Sequence, residues 1–269
     1  MPAWVATVID TQKGAREVRD LPFCYLCGVK FDADSTNHDH VPPKRLFLKG
    51  HRDFPLLLKT HVKCNGDRSG EDQIITQLIG VLHDRHIDTH EGGKLQVDMG
   101  RMEDGSPVLA AKSLPLRAII RRWLRGFHAA LYREFLPHDV NAMISPPLPE
   151  GSLRGDVATP IALPAAVPEI VEAIKVNRRA GTLDRVACRK GKCRYECVWV
   201  RAQNGGRMCF FALDLYDWKL LGDRRAEQRG CVGAYWRETG RAPEGAAYGT
   251  EIEIVGGIGG APLDPFSTS

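Results

Sequence analysis

Cysteine and histidine occur here as two x-x-spaced pairs, Cys24-Tyr25-Leu26-Cys27 and His61-Val62-Lys63-Cys64, with a short stretch of mixed chemistry between them. A C-x-x-C turn places two sulfurs on one side of a tight knuckle, and a second knuckle completes a tetrahedron. The spacing is that of a closed zinc site with Cys24, Cys27, His61 and Cys64 as ligands. Zinc so held staples a segment too small to be stabilised by burial alone. Inside the bracket lies Asn37-His38-Asp39-His40-Val41-Pro42-Pro43-Lys44, and Asn65 directly follows the last ligand, with Asp67, Glu71 and Asp72 close behind.

Three stretches, Asp39-His40-Val41-Pro42-Pro43-Lys44-Arg45-Leu46-Phe47, His61 to Asn65, and Ser69-Gly70-Glu71-Asp72, together resemble the HNH endonucleases of the ββα-metal (His-Me finger) superfamily. The zinc-stapled small bacterial type is the nearest likeness, in a branch that includes phage junction-resolving endonucleases. In that family a first strand carries an Asp-His or His-His pair, and a following helix begins with a metal-binding Asn or His. The likeness covers the first third of the chain. Two departures stand out. His61 replaces the usual cysteine, which zinc accepts because Cys₃His is a common ligand set. The asparagine of the second strand would fall near Leu56, so the task of orienting the catalytic histidine passes to Asp53, Asn37 or a backbone carbonyl.

The resemblance implies phosphodiester hydrolysis, which needs a nucleophilic water, a base to take its proton, and positive charge for the transition state and the departing 3′-oxygen. An imidazole titrating near neutrality suits the second task, making His40 the expected general base. Asp39 and Asn65 offer hard oxygen ligands to one divalent ion, Mg²⁺ by default, with positions left for water and phosphate oxygens. Glu71, Asp72 or His38 would supply a third contact. The resemblance also implies nucleic acid as partner, with double-stranded DNA preferred. Restriction, anti-phage defence, toxin activity and mobile-element processing all use such a site.

Plainer readings stand beside these. The paired knuckles also fit a non-catalytic zinc-containing nucleic-acid-binding module. Asn65 also suits a helix cap, and Lys44 and Arg45 suit either a phosphate contact or simple solvation. Cys188, Cys193, Cys197, Cys209 and Cys231 make no C-x-x-C knuckle and read as small buried thiols rather than a second zinc site. His83, His86 and His90 share a helical face and read as solvated side chains at a helix end.

The 269 residues allow two modest domains, and the formal charge of +4 suits a polyanionic partner without demanding one. No stretch is apolar and long enough to span a membrane and the N-terminus lacks a signal-peptide core, so a cytoplasmic protein is expected. In a reducing compartment the eight cysteines are metal ligands or thiols.

The elements that must position these residues follow an α+β pattern. A nuclease domain is expected over 18–90, preceded by a short strand or arm and ending in a helix marked by Ile74, Ile75, Leu78, Ile79 and Leu82, which Gly92-Gly93 stops. An α+β region over 91–269 opens with alternating Leu95, Val97 and Met99 and a turn at Glu103-Asp104-Gly105 returning through Val108. A long amphipathic helix then presents Leu116, Ile119, Ile120, Trp123, Phe127, Leu131 and Phe135 on one stripe, with Arg117, Arg121 and Arg125 as a solvated face beside it. A proline-rich connection from Pro146 to Pro168 precedes a short helix near Glu169 to Arg178. The antiparallel hairpin Tyr195–Arg201 and Met208–Leu215 turns at Asn204-Gly205. This region carries no catalytic signature, and recognition or assembly, as a homodimer or with a protein partner, is its expected role.

Overall fold

Period-two patterning builds the longest strands. In the computed structural model, which describes residues 6–32, 35–47, 49–82, 96–101, 107–112, 116–138, 140–145, 166–201, 207–215 and 231–236, β8 (Cys193–Arg201) pairs antiparallel with β9 (Arg207–Leu215) along their whole lengths. They form the centre of a six-stranded sheet ordered β1-β7-β8-β9-β10-β6, with β7 spanning Asp184–Cys188, β10 spanning Cys231–Trp236 and β6 spanning Asn141–Ser145. The edge strand β1 (Val8–Ile9) is contributed by the N-terminal segment and lies parallel to β7, with Val8 opposite Arg185. Helix α1 (Gln12–Glu17) follows at once, its first turn capped by the Thr11 hydroxyl, which accepts from the Gly14 amide at 3.1 Å.

Alternation sends the two sets of side chains to opposite sides of the sheet. Val198, Val200, Met208, Phe210, Val232 and Ala234 pack on α5 (Ala166–Ala180), through Val167, Ile170, Ala173 and Ile174. The helix begins three residues before the expected start, because a proline such as Pro168 is tolerated in a first turn. The other face presents Cys193, Tyr195, Cys197, Trp199, Cys209, Phe211 and Tyr235 to a core shared with the N-terminal segment and α4 (Leu116–Tyr132).

Helix α4 differs from the one-sided stripe expected of it. Ile119, Ile120, Trp123, Leu124, Phe127 and Leu131 are buried, but so are Arg122 and His128. The reason is that two partners cover it. Phe127 stacks on Tyr195 of the sheet, with ring centroids 4.7 Å apart and planes at 9°. On the other side Gly126 lies against Val41 and Tyr25. Arg121 and Arg125 are accordingly half-buried rather than a solvated face.

The segment bearing the paired knuckles has its own short sheet. Strand β2 (Thr36–His40) pairs antiparallel with β3 (Leu57–His61), Asp39 opposite Leu58 and His40 opposite Leu57. β3 runs directly into α2 (Val62–Gly66), and a bend at Asp67 and Arg68 leads to α3 (Ser69–Leu82). A second two-stranded sheet pairs β4 (Gln96–Arg101) with β5 (Pro107–Lys112). His83, His86, His90, Gly92-Gly93, Glu103-Asp104-Gly105, Asn204-Gly205 and the prolines from Pro146 to Pro164 lie outside the described residues. Among the described residues no helix is long and apolar enough to cross a membrane.

Candidate active site and metal centre

The knuckle at Cys24–Cys27 closes because the Gly28 amide donates to the Cys24 carbonyl at 2.7 Å, and the Cys24 amide donates to the Val29 carbonyl at 2.9 Å. Gly28 takes φ +79°, and a Cβ there would stand 2.7 Å from the Phe135 ring, so the turn admits only glycine without a shift. His61 ends β3 and Cys64 sits in α2, so the strand-to-helix junction brings both to one side. Ligand atoms of Cys24, Cys27, His61 and Cys64 all lie within 4.8 Å of one another. His61 Nδ1 is 3.4 Å from Cys27 Sγ and 3.9 Å from Cys64 Sγ. Ligands on a zinc tetrahedron with bonds of about 2.0–2.3 Å are themselves about 3.5–3.8 Å apart, so the donor set and its spacing fit a metal ion such as zinc. Burial raises the Cys24 thiol, and burial with the neighbouring Cys27 and Cys24 pushes Cys64 up to about 12. A divalent cation reverses that preference by stabilising thiolates.

Asp39 projects from the buried face of β2. It is 7% exposed and accepts from the Tyr25 hydroxyl at 2.5 Å. Burial raises its carboxyl, opposed by the Tyr25 hydrogen bond and the Arg122 charge. Arg122 is held in turn by Asp72. Asn37 occupies the same strand face two residues earlier. Its Oδ1 accepts from the Thr60 hydroxyl at 2.7 Å and from the Asn65 side-chain amide at 3.3 Å. The Asn65 amide nitrogen is thereby turned to Asn37, which directs its carbonyl oxygen away. Asn65 lies in the last turn of α2 and does not cap it, since His61 is the N-cap residue.

His40, at the end of β2, meets a residue that nothing in the sequence connects to it. Arg189 Nη2 donates to His40 Nδ1 at 3.1 Å across 149 residues of chain. Arginine only donates, so Nδ1 is the acceptor and the ring's proton sits on Nε2. Arg189 lies in the turn between β7 and β8. Its Nη1 donates to the Arg52 carbonyl at 2.7 Å, its amide to the Phe54 carbonyl at 2.9 Å, and its guanidinium carbon lies 5.2 Å from the Phe47 ring centroid. Burial, then Arg189 and Lys44, lower His40 from 6.5 to about 4, keeping it neutral at physiological pH.

The other candidates find different partners. Asp53 is exposed and pairs with Lys190 at 2.7 Å, and Asn37 serves Thr60 and Asn65, so the side chain on His40 is Arg189 rather than either of these. Of the proposed third ligands, His38 donates to Asp20 at 3.1 Å and Asp72 holds Arg122. Glu71 accepts from Arg68 at 2.9 Å, while its Oε2 is buried without a hydrogen-bond partner. Lys44 and Arg45 are exposed in a 3₁₀ turn over Lys44–Leu46. Cys188, Cys193, Cys197, Cys209 and Cys231 are all buried free thiols. Among the described residues the ligand-like cluster is that of Cys24, Cys27, His61 and Cys64.

Sequence reasoning missed Arg189, and the Arg189-Lys190-Gly191-Lys192 turn carries no signal that would have found it, since basic turns are ordinarily solvated. Compared with known proteins, the chain matches no family model, no curated protein and no solved structure.

Proposed function

We propose that the chain is a zinc-stapled HNH endonuclease of the ββα-metal class that hydrolyses phosphodiester bonds in nucleic acid, with DNA as the preferred substrate. The observation that carries this reading is the order of the site: β2 bearing Asp39-His40, β3, then α2 bearing Asn65, with a Cys/His cluster gathered at the point where β3 enters α2. Cys24, Cys27, His61 and Cys64 hold a structural zinc ion. His40 is the general base, held neutral at physiological pH and able to take a proton from water once its Nδ1 lone pair is free. The donor chemistry of Asp39 and Asn65, two hard oxygens from neighbouring elements, suits Mg²⁺. When bound, that ion would supply Lewis-acid stabilisation of the negative charge on the phosphoryl oxygens and the departing oxygen.

A second reading, a non-catalytic nucleic-acid-binding module, draws on the internal ties of the same residues. Asp39 is bonded by Tyr25 and His40 by Arg189, leaving each with a protein partner before any substrate arrives. The deciding experiment incubates the purified chain with supercoiled plasmid, linear duplex, single strands and RNA, with and without Mg²⁺. Expected is Mg²⁺-dependent cleavage that His40→Ala abolishes. Binding without cleavage of any substrate would favour the module instead.

A further inference from the structure

Arg189 is fully buried, and the backbone is bent to deliver it. Arg189 and Lys190 both adopt left-handed conformations, φ 55° and 53°, ahead of Gly191 at φ 75°. A left-handed backbone is unfavourable for residues with a Cβ and concentrates where function requires it. The turn is closed by Gly191 N donating to Cys188 O and Lys192 N donating to Arg189 O, each at 3.0 Å. It is also pinned to the β2–β3 loop from its outer side, where Lys190 Nζ donates to Gly50 O at 3.3 Å and pairs with Asp53 at 2.7 Å. Phe54, whose carbonyl receives the Arg189 amide, is itself left-handed at φ 57°. The C-terminal sheet therefore presents one guanidinium to His40 from a doubly anchored turn.

That contact conflicts with base catalysis as it stands. With Nδ1 accepting from Arg189 and Nε2 bearing the proton, the neutral ring has no lone pair free to accept a proton from water. The guanidinium must leave Nδ1 before His40 can act. A phosphate oxygen is a stronger acceptor for it than an imidazole nitrogen, because the bond is charge-assisted and the planar fork matches phosphate geometry. Because the guanidinium is a rigid plane, freeing Nδ1 means a pivot of the whole group about its Nη1 bond to Arg52, with the backbone held by the Phe54 carbonyl. Lys44, exposed four residues after His40, is a second cation on the same segment.

We infer that Arg189 is a positioning residue that masks the His40 Nδ1 lone pair in the free protein and is drawn off it by a substrate phosphate, freeing the base only when a phosphodiester is in place. This rests on the nuclease reading of His40. The assignment also gives the C-terminal region a part in the site beyond recognition or assembly.

The test is nitrogen NMR of the full zinc-loaded chain labelled at histidine, with His40 identified by the signal lost in His40→Gln. In the free protein, Nε2 should be protonated and Nδ1 should carry the shift of a hydrogen-bonded acceptor. Adding a short DNA duplex without magnesium, or inorganic phosphate, should move Nδ1 to the position of an unbonded lone pair. Arg189→Ala should show that position before any addition and respond to neither. Arg189→Lys, which keeps the charge but cannot span Arg52 and His40 together, should fall between. A bound duplex that leaves Nδ1 unchanged overturns the inference, as does a wild-type signal in Arg189→Ala or a lack of response to duplex and phosphate alike. Release of Nδ1 without cleavage once magnesium is supplied upholds the mask and defeats only the nuclease reading.

Discussion

Gly126 of α4 lies so close to Val41 that a Cβ on it would stand 2.7 Å from Val41 Cγ1 and 3.3 Å from Tyr25 Cε2. Those two neighbours flank the site: Val41 follows His40, and Tyr25 bonds Asp39. Gly126→Ala must therefore push α4 away from β2 or displace both side chains. Overpacking of this kind costs about 1–3 kcal/mol, outweighing any helix-propensity gain of up to about 1 kcal/mol. The expected outcome is a lower urea midpoint together with reduced cleavage, whereas a more stable, fully active variant would show that the contact yields easily.

The proposed zinc and Mg²⁺ sites should separate cleanly in variants. Cys27→Ser is expected to lose zinc, become sensitive to proteolysis in the N-terminal segment and lose cleavage, because a structural zinc site contributes on the order of 10 kcal/mol in small domains. Cys197→Ser, a buried thiol of β8, should keep its zinc. Elemental analysis with limited proteolysis reads both, and equal zinc loss from the two would place the metal elsewhere.

The ease of reading different parts of this chain follows from the range of the interactions involved. Cys24, Cys27, His61 and Cys64 were legible because metal ligation imposes short, fixed spacings. The β8–β9 hairpin was legible because alternation and a short connection are local. β1 pairing with β7 was not, since a two-residue strand leaves no periodic signal and its partner lies far along the chain. The burial of Arg122 and His128 was hidden for another reason. Their polarity reads as solvent-facing until Asp72 is seen to pair with Arg122 and the Tyr235 hydroxyl to lie 3.0 Å from His128 Nδ1. Arg189 is the extreme case, a single basic side chain whose meaning is set by a contact 149 residues away.

Asp39→Ala and Asn65→Ala should each weaken Mg²⁺-dependent cleavage while leaving the zinc content at about one per chain, as for a single closed structural site. Their structural costs should differ. Asp39→Ala strands the buried Tyr25 hydroxyl, a loss of about 1–3 kcal/mol, whereas Asn65 is only part-buried and gives up one long bond to Asn37. Magnesium titrations of cleavage beside denaturation curves would check this, and loss of zinc from either variant would mean the ligands had been assigned to the wrong ion.

Acid should destabilise the fold through His40 over a defined window. Burial, then Arg189 and Lys44, hold the folded pKa near 4 against an ordinary 6.5. Between those values the unfolded chain binds a proton that the folded chain refuses, so unfolding is favoured as pH falls. The stability given by a neutral His40 is complete above about 6.5, declines through the window and levels off below about 4, once both states are protonated. His40→Gln cannot titrate and should show a flatter dependence. Lys44→Met, which removes one of the charges opposing protonation, should raise the folded pKa and narrow the window from below. Urea midpoints at about pH 7 and about pH 5, with zinc kept in excess, measure the effect as a difference between wild type and variant. Parallel declines in wild type and His40→Gln would mean that His40 titrates with its ordinary value and that the guanidinium beside it exerts no hold on its proton.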